Sequence, residues 1–415
     1  MKFHKNKKLT VSVLGLGYVG LPLALAFSKF FNVIGFDNDK KKINQIKLKI
    51  RNVKNFFIKK KIDENFSSDI YIVTVPTPLK KDNKPDLSYL INATKDICKS
   101  LKPGNLIIYE STVYPGTTEE VLIPLILKKT KLIFNKDFFI GYSPERINPG
   151  DKQNKLSNIK KVISGGNSKT LNFLKIFYGK IIKAGTYRAP NIKTAEASKI
   201  LENVQRDINI SLMNESALIF DRLNIDISEV LKASNTKWNF LDFKPGLVGG
   251  HCISVDPYYL KYRAEKAGYT PKVISSGRNV NEKMASYIVS KIIKNNFKKK
   301  FNVCVLGVTY KENCSDLRNS QVLKILQILK RKKINYNFYD PYISKKDLPN
   351  DISRNFIKRL KKRYDVLIFA VPHKQFLQNK KRLVKKLSKH NSLIFDVKNS
   401  FDFKPSNNQI KLLKL

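Results

Sequence analysis

The sequence predicts an α/β protein with two doubly wound parallel-sheet domains joined by a helical central domain. Three observations predict this class. Strand-like and helix-like segments alternate early in the chain, a stretch at 196–234 has helical patterning without a strand signal, and the alternation starts again after residue 300. We therefore expect an N-terminal domain at 1–185, a central domain at 186–292 and a C-terminal domain at 293–415.

The first domain is expected to begin with a βαβ unit. An apolar, β-branched run at 9–16 stops at glycines, a helix-compatible segment follows at 18–30, and a second strand-like run occupies 32–36. Strand, glycine turn, helix and strand in this order form the start of a Rossmann-like sheet. Further strands are expected at 70–75, 105–110 and 138–142.

The central and C-terminal domains differ in pattern. The helical stretch at 196–234 lies between two α/β domains, where long helices commonly carry dimer contacts, so we expect a homodimer or a higher homo-oligomer. The C-terminal sheet is expected to form from four apolar runs, FNVCVLGVTY, NYNFYD, YDVLIFAV and SLIFDVK.

The composition is that of an ordinary globular protein. With 415 residues, of which 42% are apolar and 11% aromatic, the chain is long enough for two or three buried cores. No apolar run approaches the roughly 20 residues of a membrane span, so no membrane contact is expected. A basic segment at 1–8 precedes an apolar stretch that glycines interrupt, which argues against a signal peptide. We expect a cytoplasmic protein.

The four cysteines are scattered and lack the paired spacing that metal sites use. We therefore expect neither a disulfide framework nor a bound metal. Cys98 and Cys304 are expected to act as small buried hydrophobic residues. Cys314 lies in a polar segment without a neighbour that would activate it, and it stays unassigned.

The formal charge of +46 has two explanations. A nucleic-acid-binding protein clusters its basic residues, often arginines, beside aromatic or groove-reading motifs. Here the basic residues are spread along the whole chain and are mostly lysine, and asparagine and isoleucine are also abundant. This pattern favours a bias toward AT-rich codons, and no specific nucleic-acid partner is expected.

The segment GLGYVG fits the dinucleotide-binding pattern G-x-G-x-x-G. Gly15 permits the tight turn, Gly17 lets the backbone approach a pyrophosphate, and Gly20 lets the helix pack close to the strand. Asp37 would accept a hydrogen bond from a ribose 2′-hydroxyl and repel a 2′-phosphate, which favours NAD over NADP. The alternative is a glycine-rich turn without a ligand. The expected cofactor contacts here are Gly15, Gly17, Tyr18, Val19, Gly20 and Asp37.

A second motif, GLVGGHCISVDPYYL at 246–260, singles out Cys252. Two adjacent glycines precede the cysteine and leave its sulfur open to a ligand, and Asp256 lies four residues beyond. A dyad of Cys252 with His251 is disfavoured, because adjacent side chains of an extended backbone point apart.

Lys199 and Asn203 are four residues apart in a predicted helix, which puts both on one face with Arg206 beside them. The alternative is an ordinary solvated lysine on a helix surface. Four segments that follow strands are also candidates, because ligands bind at the carboxyl ends of strands in doubly wound folds. Ordinary loop chemistry is the alternative for each. The segments are YSPERINPG with Glu145, Arg146 and Ile147, ESTVYPGT with Thr112, VPTP with Thr77, and VTYKENCSDLRNS with Lys311 and Arg318.

These motifs, together with GRNVNEKM, occur in the order seen in the UDP-glucose/GDP-mannose dehydrogenase family, and the resemblance covers about residues 9–400. The segment TKWNFLDFKPGLVGGHCISVDPYYL most resembles the branch that oxidises UDP-N-acetylhexosamines, the UDP-N-acetylglucosamine 6-dehydrogenases of capsule and surface-polysaccharide pathways. The resemblance implies two hydride transfers to two NAD⁺ molecules at one site. It also implies a thiohemiacetal and then a thioester on Cys252, which water releases as the acid.

The resemblance further implies residue roles. Lys199 would stabilise negative charge on the substrate oxygen with help from Asn203, and Asp256 would position or activate water. Glu145 matches the glutamate assigned to thioester hydrolysis, with Thr112 near the reactive water and the nicotinamide. The implied substrate contacts are Glu145, Arg146, Ile147, Lys199, Asn203, Arg206, Gly246 and Lys311. The remaining cofactor contacts are Thr77, Thr112 and Arg318.

The chain departs from the family pattern at Val255, where many UDP-glucose dehydrogenases carry lysine, and this disfavours UDP-glucose. Ser254 replaces a residue that is often proline, and Lys237 is the candidate for the arginine that a dimer mate supplies. Four alternatives remain: a UDP-glucose 6-dehydrogenase, a simple alcohol or hydroxy-acid dehydrogenase, a non-catalytic relative and a basic nucleic-acid-binding protein. The simple dehydrogenase would leave Cys252 without a role and the second α/β domain unexplained.

Overall fold

The computed structural model of the chain describes residues 8–51, 53–63, 65–147, 155–296, 298–400 and 410–415. Most of the basic segment 1–8 and the end of YSPERINPG, 148–150, lie outside the described residues. The chain divides into two compact units, and the three domain limits stay a prediction. The first unit comprises Met1–Glu202 and Tyr258–Tyr269, and the second comprises Asn203–Pro257 and Thr270–Leu415.

Thirteen strands lie within the described residues. They are β1 (Thr10–Leu14), β2 (Asn32–Phe36), β3 (Phe56–Lys59), β4 (Ile70–Val73), β5 (Leu106–Tyr109), β6 (Phe139–Tyr142), β7 (Lys161–Gly165), β8 (Thr186–Arg188), β9 (Asn302–Leu306), β10 (Asn335–Tyr339), β11 (Tyr364–Phe369), β12 (Ser388–Asp396) and β13 (Ile410–Lys414). Every strand expected from the sequence is present. Strands β3, β7, β8 and β13 were not expected.

The helices of the described residues also follow chain order. They are α1 (Gly20–Phe27), α2 (Lys40–Lys49), α3 (Ser88–Cys98), α4 (Ile123–Lys129), α5 (Ser168–Gly179), α6 (Ile192–Arg222), α7 (Ile227–Ser234), α8 (Asp256–Lys266), α9 (Lys272–Asn295), α10 (Gln321–Arg331), α11 (Asn350–Ser353), α12 (Lys374–Gln378) and α13 (Lys380–Leu387). A wider helical turn, Thr118–Leu122, runs into α4. None of these helices is long and apolar enough to cross a lipid bilayer.

The sheet of the first unit has the strand order β3-β2-β1-β4-β5-β6-β7-β8. Its first six strands follow the doubly wound order of a dinucleotide-binding domain and pair in parallel. The predicted fold class is therefore confirmed. One pair departs from an all-parallel sheet, because β7 runs antiparallel to β6. The described residues between these two strands hold only a short turn of helix, Leu156–Asn158, and not the long crossover that a parallel pair needs.

Both faces of this sheet are buried. Along β4, Ile70 and Ile72 belong to one hydrophobic cluster, whereas Tyr71 and Val73 belong to another on the opposite face. Successive side chains of a strand point to opposite faces, so a strand covered on both sides is apolar throughout. This burial explains why the strands appear as continuous apolar runs in the sequence.

The sheet of the second unit has the order β10-β9-β11-β12-β13, and all its pairs are parallel. This is the other common doubly wound order, in which the strand sequence reverses between β9 and β11. Ligands bind such sheets at the carboxyl ends of the strands beside this switch point.

The predicted helical stretch at 196–234 is two helices. Helix α6 begins at Ile192 and ends at Arg222, and α7 begins at Ile227. Asn224 between them has a φ of +56°, and the Asp226 carboxylate accepts a hydrogen bond from the backbone N–H of Ser228. The left-handed backbone conformation of Asn224 ends α6, and Asp226 caps the N-terminus of α7. These two features explain why the helical stretch is divided.

Candidate active site

The glycine turn after β1 has a different geometry at each glycine. Gly15 has a φ of +93°, in the region that favours glycine. A Cβ on Gly20 would lie 1.8 Å from the carbonyl oxygen of Gly15 and 2.4 Å from Oγ1 of Thr74, so only glycine fits there. A Cβ on Gly17 would have no heavy atom within 4 Å. The turn thus holds α1 tightly against the strand and leaves open space beside Gly17, which suits a pyrophosphate.

Asp37 follows β2 and lies beside this turn. Its carboxylate accepts hydrogen bonds from the backbone N–H groups of Leu16, at 2.9 Å, and Asp39, at 3.1 Å, and it pairs with Lys42. Burial opposes the charged form, but these donors outweigh it and lower the pKa of Asp37. An ionised acceptor at this strand end suits a ribose hydroxyl of NAD.

The VPTP and ESTVYPGT segments lie together. The Thr77 hydroxyl donates to the backbone oxygen of Thr112 at 2.7 Å, and the Tyr259 hydroxyl donates to the backbone oxygen of Thr77 at 2.9 Å. Strands β4 and β5 are neighbours in the sheet, so the segments that follow them emerge at the same edge. Both predicted threonines are therefore fixed at the carboxyl ends of the strands.

Glu196 in α6 anchors the end of ESTVYPGT, and no sequence motif points to this residue. Its carboxylate accepts hydrogen bonds from the backbone N–H groups of Gly116, at 2.6 Å, and Thr118, at 2.9 Å. Complete burial raises the pKa of Glu196 to about 7, although both hydrogen bonds act in the opposite direction. The loop that carries Thr112 thus ends on a buried carboxyl group of the long helix.

Lys199 lies one turn further along α6 and is largely buried. Within the described residues it makes no hydrogen bond or ion pair, so its ammonium group has donors left for a ligand. Arg206 is exposed on the same helix. Arg146 pairs with Glu202 at 2.8 Å and donates to the backbone oxygen of Lys160 at 3.1 Å.

Glu145 is held from two sides. Its Oε1 accepts hydrogen bonds from the backbone N–H groups of Arg146, at 2.6 Å, and Ile147, at 2.8 Å. Its Oε2 is 2.8 Å from Nζ of Lys161, the first residue of β7. Burial opposes the charged form, but Lys161 and the two N–H groups outweigh it and lower the pKa of Glu145.

Lys161 also contacts a second carboxylate. Its Nζ lies 2.7 Å from Oε2 of Glu110, whose Oε1 accepts a hydrogen bond from the Tyr178 hydroxyl. The side chains of Glu110 and Lys161 are 0% and 3% exposed. Burial raises the pKa of Glu110, and the charge of Glu145 adds to the rise while Lys161 opposes it. We refer to Glu110, Glu145, Lys161 and Tyr178 as the carboxylate cluster.

Cys252 precedes α8 in a tight turn of the second unit. Its carbonyl oxygen accepts hydrogen bonds from the backbone N–H groups of Val255, at 3.0 Å, and Asp256, at 2.9 Å. The Asp256 carboxylate, at the start of α8, accepts a hydrogen bond of 2.5 Å from the side-chain amide of Asn203. The structure thus links three predicted residues of this unit, because Asn203 in α6 donates to Asp256, whose backbone N–H donates to Cys252.

The two glycines before Cys252 serve packing against the VTYKENCSDLRNS segment. A Cβ on Gly249 would lie 2.8 Å from the backbone oxygen of Asn319, and one on Gly250 would lie 2.8 Å from the Tyr310 ring. The side-chain amide of Asn319 donates to the backbone oxygen of Gly250 at 3.0 Å. Both glycines thus allow close approach of a neighbouring loop, and the expectation that they leave the sulfur open to a ligand stays a prediction.

Two more predicted residues lie in that segment. The Arg318 guanidinium donates hydrogen bonds from Nε and Nη2 to the Asp316 carboxylate. The Lys311 ammonium lies 5.6 Å from the centre of the Tyr310 ring. His251 contacts Tyr310 edge-to-face, and its Nδ1 is 3.8 Å from Asp316.

A buried chain of polar side chains supports the backbone at Gly246. The Asn214 amide both donates to the backbone oxygen of Gly246 and accepts from its N–H, at 3.0 and 2.8 Å. Asn214 also donates to Asn281 at 2.7 Å, and Asn281 donates to the Asp207 carboxylate at 2.8 Å. Arg278 completes the chain at 2.6 Å from Asp207. These contacts give GRNVNEKM a structural role that its sequence did not reveal.

A small cavity lies at the switch point between β9 and β11. Its lining includes Lys311, Lys398 and the first residues of α10, where the Ser320 hydroxyl accepts from the N–H of Val322. Two ammonium groups and a helix N-terminus favour an anionic ligand such as a diphosphate. The sequence did not single out Lys398, although it follows the predicted SLIFDVK strand directly.

Buried His373 and Asp340 hold the loop beside this cavity. Nδ1 of His373 accepts from the N–H of Asn313 at 2.9 Å, so its Nε2 carries the proton that faces Asp340 at 3.0 Å. Asp340 also accepts from the N–H of Val308 at 2.7 Å, and it thus occupies in this sheet the place of Asp37 in the first.

The other cysteines differ in burial. Cys304 is fully buried in β9, and burial raises its pKa, as expected of a small core residue. Cys98 is only partly buried, but it packs against a hydrophobic cluster of the first unit, and burial raises its pKa to about 11. It is the last residue of α3, and a helix end leaves one side open. Across the described residues, no three His, Cys, Asp or Glu side chains are grouped so that they could hold a metal.

Family models of UDP-glucose/GDP-mannose dehydrogenases match three consecutive parts of the chain. The NAD binding domain matches residues 9–182, the central domain matches residues 193–283, and the UDP binding domain matches residues 304–403. The glycine turn with Asp37 lies in the first match, the Cys252 turn in the second and the switch-point cavity mainly in the third.

Individual relatives cover nearly the whole chain. Protein CapL of Staphylococcus aureus is 46% identical over 406 residues, which are 94% of this chain and 95% of that protein. A UDP-N-acetyl-D-glucosamine 6-dehydrogenase of Pseudomonas aeruginosa is 44% identical over 413 residues, covering 95% and 98% of the two chains. Among solved structures, a UDP-D-ManNAc dehydrogenase from Pyrococcus horikoshii superposes with a TM-score of 0.86 at 28% identity, covering 97% and 99%.

Proposed function

Since this chain belongs to the UDP-glucose/GDP-mannose dehydrogenase family of NAD-dependent UDP-sugar oxidoreductases, we propose that it oxidises carbon 6 of a UDP-N-acetylhexosamine to a carboxylate. The proposed substrate is UDP-N-acetylglucosamine, and the product serves surface-polysaccharide synthesis. The choice of sugar is supported by 44% identity to a UDP-N-acetyl-D-glucosamine 6-dehydrogenase, against 31% to the UDP-N-acetyl-D-mannosamine dehydrogenase of Pyrococcus horikoshii. Val255 supports an N-acetylhexosamine over UDP-glucose, as argued above.

The turn at Cys252 carries the mechanistic part of the proposal. The alcohol is first oxidised to an aldehyde, to which the Cys252 sulfur adds to form a thiohemiacetal. A second oxidation gives a thioester, and water then releases the acid and restores the thiol. NAD⁺ supplies the chemistry of both oxidations by accepting a hydride in each.

In the first unit, Lys199 is the proposed stabiliser of negative charge on the substrate oxygen. A largely buried ammonium group with donors to spare stabilises an oxyanion more strongly than a solvated one. Glu145 is the proposed acceptor of the proton from the hydrolytic water, with Thr112 close to that water. The glycine turn, Asp37 and Thr77 hold the cofactor, with Thr112 near the nicotinamide.

In the second unit, Asn203 orients Asp256, and Asp256 positions or activates water at the Cys252 turn. The 2.5 Å hydrogen bond between these side chains fixes the carboxylate. Lys311 and Lys398 neutralise the diphosphate of the UDP-sugar at the switch-point cavity. Arg318, held by Asp316, contacts the cofactor.

The chain is further proposed to act as a homodimer through its central helices. Leu212 and Ile219 are exposed and, seven residues apart, lie on one face of α6. Trp238 is 91% exposed and Leu241 is also exposed. Large apolar side chains left in water are typical of a surface that a partner covers.

The test is the amount of NADH formed per sugar with UDP-glucose and the UDP derivatives of N-acetylglucosamine, N-acetylgalactosamine and N-acetylmannosamine. We expect two NADH per molecule of acid with UDP-N-acetylglucosamine and little turnover with UDP-glucose. Cys252→Ser should still bind NAD⁺ but should form no net acid. One NADH per sugar, or full acid output from Cys252→Ser, would contradict the thioester route, and preference for another sugar would correct the substrate.

A further inference from the structure

The carboxylate cluster contains three charged side chains and a phenol in the interior of the first unit. Lys161 bridges the two carboxylates, at 2.7 Å from Glu110 and 2.8 Å from Glu145, and Tyr178 donates to Glu110 from the other side. Burying three charges is costly, and apolar side chains of similar size would often be at least as stable. Their presence therefore suggests a role that an apolar core could not fill. The function proposed above uses only one of the four residues, Glu145.

Within the part of the chain that the structure describes, the contacts of Glu145 leave one acceptor position open. A carboxylate offers about four lone-pair positions, and here two backbone N–H groups occupy Oε1 while Lys161 occupies one position on Oε2. These contacts hold the carboxylate in one orientation, and among the described residues the remaining position on Oε2 is open to a water molecule. The guanidinium of Arg146 does not compete for it, because that group pairs with Glu202.

Lys161 alone would make Glu145 a poor base, because a neighbouring cation stabilises the charged carboxylate. The negative charge of Glu110 acts in the opposite direction, because a like charge disfavours ionisation of Glu145. With both carboxylates ionised, the cluster carries one net negative charge, and uptake of one proton makes this buried group neutral. Glu110 has the contacts of an ionised carboxylate, with one donor on each oxygen.

We propose that Glu110 and Lys161 are positioning residues that make Glu145 the proton acceptor for hydrolysis of the thioester on Cys252. This role presupposes the function proposed above. Water attacks the thioester carbon as its proton passes to Oε2 of Glu145, and a C–O bond forms. The C–S bond then breaks, the sulfur leaves as a thiolate, and the acid departs. Glu145 returns the proton to the thiolate or to solvent, so no oxidant or further reactant is required.

The proposal is tested with Glu110→Gln, which keeps the size of the side chain and removes the second negative charge. Hydrolysis should become the slow step. Mixing the variant with NAD⁺ and UDP-N-acetylglucosamine should give a burst of two NADH per active site, followed by slow turnover. Because general-base catalysis is typically worth 10²–10⁴-fold, we expect kcat to fall about tenfold or more. KM should fall in parallel, because the thioester enzyme accumulates, so kcat/KM should change little. Mass spectrometry of the quenched enzyme should detect the sugar thioester.

Further variants guard against a merely structural effect. Lys161→Arg keeps the positive charge between the two carboxylates, so it should lose less turnover than Lys161→Met, which removes that charge. Tyr178→Phe removes the donor to Glu110 and should slow hydrolysis in the same direction as Glu110→Gln, even if that variant fails to fold. Asp96→Asn is the matched control, because it removes a carboxylate 2.6 Å from Lys99 on the surface of the same unit and should leave the kinetics unchanged.

The outcomes separate this proposal from the function on which it depends. One pair of results would overturn only the role of the cluster. In that pair, the wild-type enzyme makes acid with two NADH, whereas kcat of Glu110→Gln is unchanged or falls without a burst and without a thioester adduct. If Glu110→Gln fails to fold, a Tyr178→Phe variant that hydrolyses the thioester at the wild-type rate would likewise overturn the role of the cluster. A wild-type enzyme that makes no acid from any UDP-sugar would overturn the proposed function itself.

Discussion

The glycine turn allows cofactor affinity and folding stability to be changed separately, one residue at a time. Gly17→Ala adds a methyl group where nothing lies within 4 Å, whereas Gly20→Ala adds one 1.8 Å from the carbonyl oxygen of Gly15. Gly17 does not have a positive φ, so alanine fits its backbone without strain. The two variants differ by three positions and have identical chemistry, so each is the control for the other.

The expected magnitudes follow from these distances. Gly17→Ala should leave the free energy of unfolding unchanged or raise it by about 0.4–1 kcal/mol, because alanine restricts the unfolded chain. The same methyl group occupies the space proposed for the pyrophosphate, so the Kd for NAD⁺ should rise at least tenfold, or about 1.4 kcal/mol. Gly20→Ala forces α1 away from β1 and should cost about 3 kcal/mol or more, at the upper end of overpacking. For a unit of this size, that loss lowers Tm by roughly 6–12 °C.

Two assays on both variants separate the effects. Calorimetric titration with NAD⁺ gives the Kd, and thermal unfolding without cofactor gives Tm. A Gly17→Ala variant with wild-type affinity would refute the assignment of that open space to the pyrophosphate. A Gly20→Ala variant with wild-type Tm would show that the helix and strand are less tightly packed than the distances require.

Two further predictions concern buried charges. Arg278→Met should lower the free energy of unfolding by about 3–5 kcal/mol, because it leaves the carboxylate of Asp207 buried without its cation. Lys324→Met, which removes a half-exposed cation from Glu282, should cost no more than about 1 kcal/mol, and equal losses in denaturant titrations would contradict this reasoning. Burial raises the pKa of Glu196 from 4.5 to about 7, so the folded state binds the proton more tightly than the unfolded chain. The resulting stability is present below pH 4.5 and is lost as the pH rises to about 7, by roughly 3 kcal/mol in total. Glu196→Gln should flatten this part of a Tm-against-pH curve, and an unchanged slope would exclude the assignment.

The parts of the fold predicted correctly are those with local signals. The run at 9–16, its glycines and Asp37 identify a βαβ unit because pattern, turn and spacing all lie within about 30 residues. Strand β13, with the sequence IKLLK near the chain end, is too short and too polar to predict. The break in α6 was missed because the apolar period continues through Leu223 and Ile225.

The parts of the site that were missed depend on contacts between distant residues. Glu110 and Lys161 are 51 positions apart, and Asn214 and Asn281 are 67 positions apart. Neither pair has a local pattern, since a lysine at the start of an apolar run or an asparagine in a helix is common. Asn203 was singled out by its helical spacing from Lys199 and Asp256 by its place after Cys252. Their hydrogen bond joins positions 53 apart, which no local pattern reveals.

Trp238 is the single tryptophan of the chain and is almost fully exposed. All indole fluorescence of the protein therefore comes from one position near the Cys252 segment, and its emission depends on how much water surrounds that ring. If a second copy covers the central helices, the emission maximum should move to shorter wavelength as protein concentration rises. The molecule thus contains its own optical probe, and its association can be followed without a label.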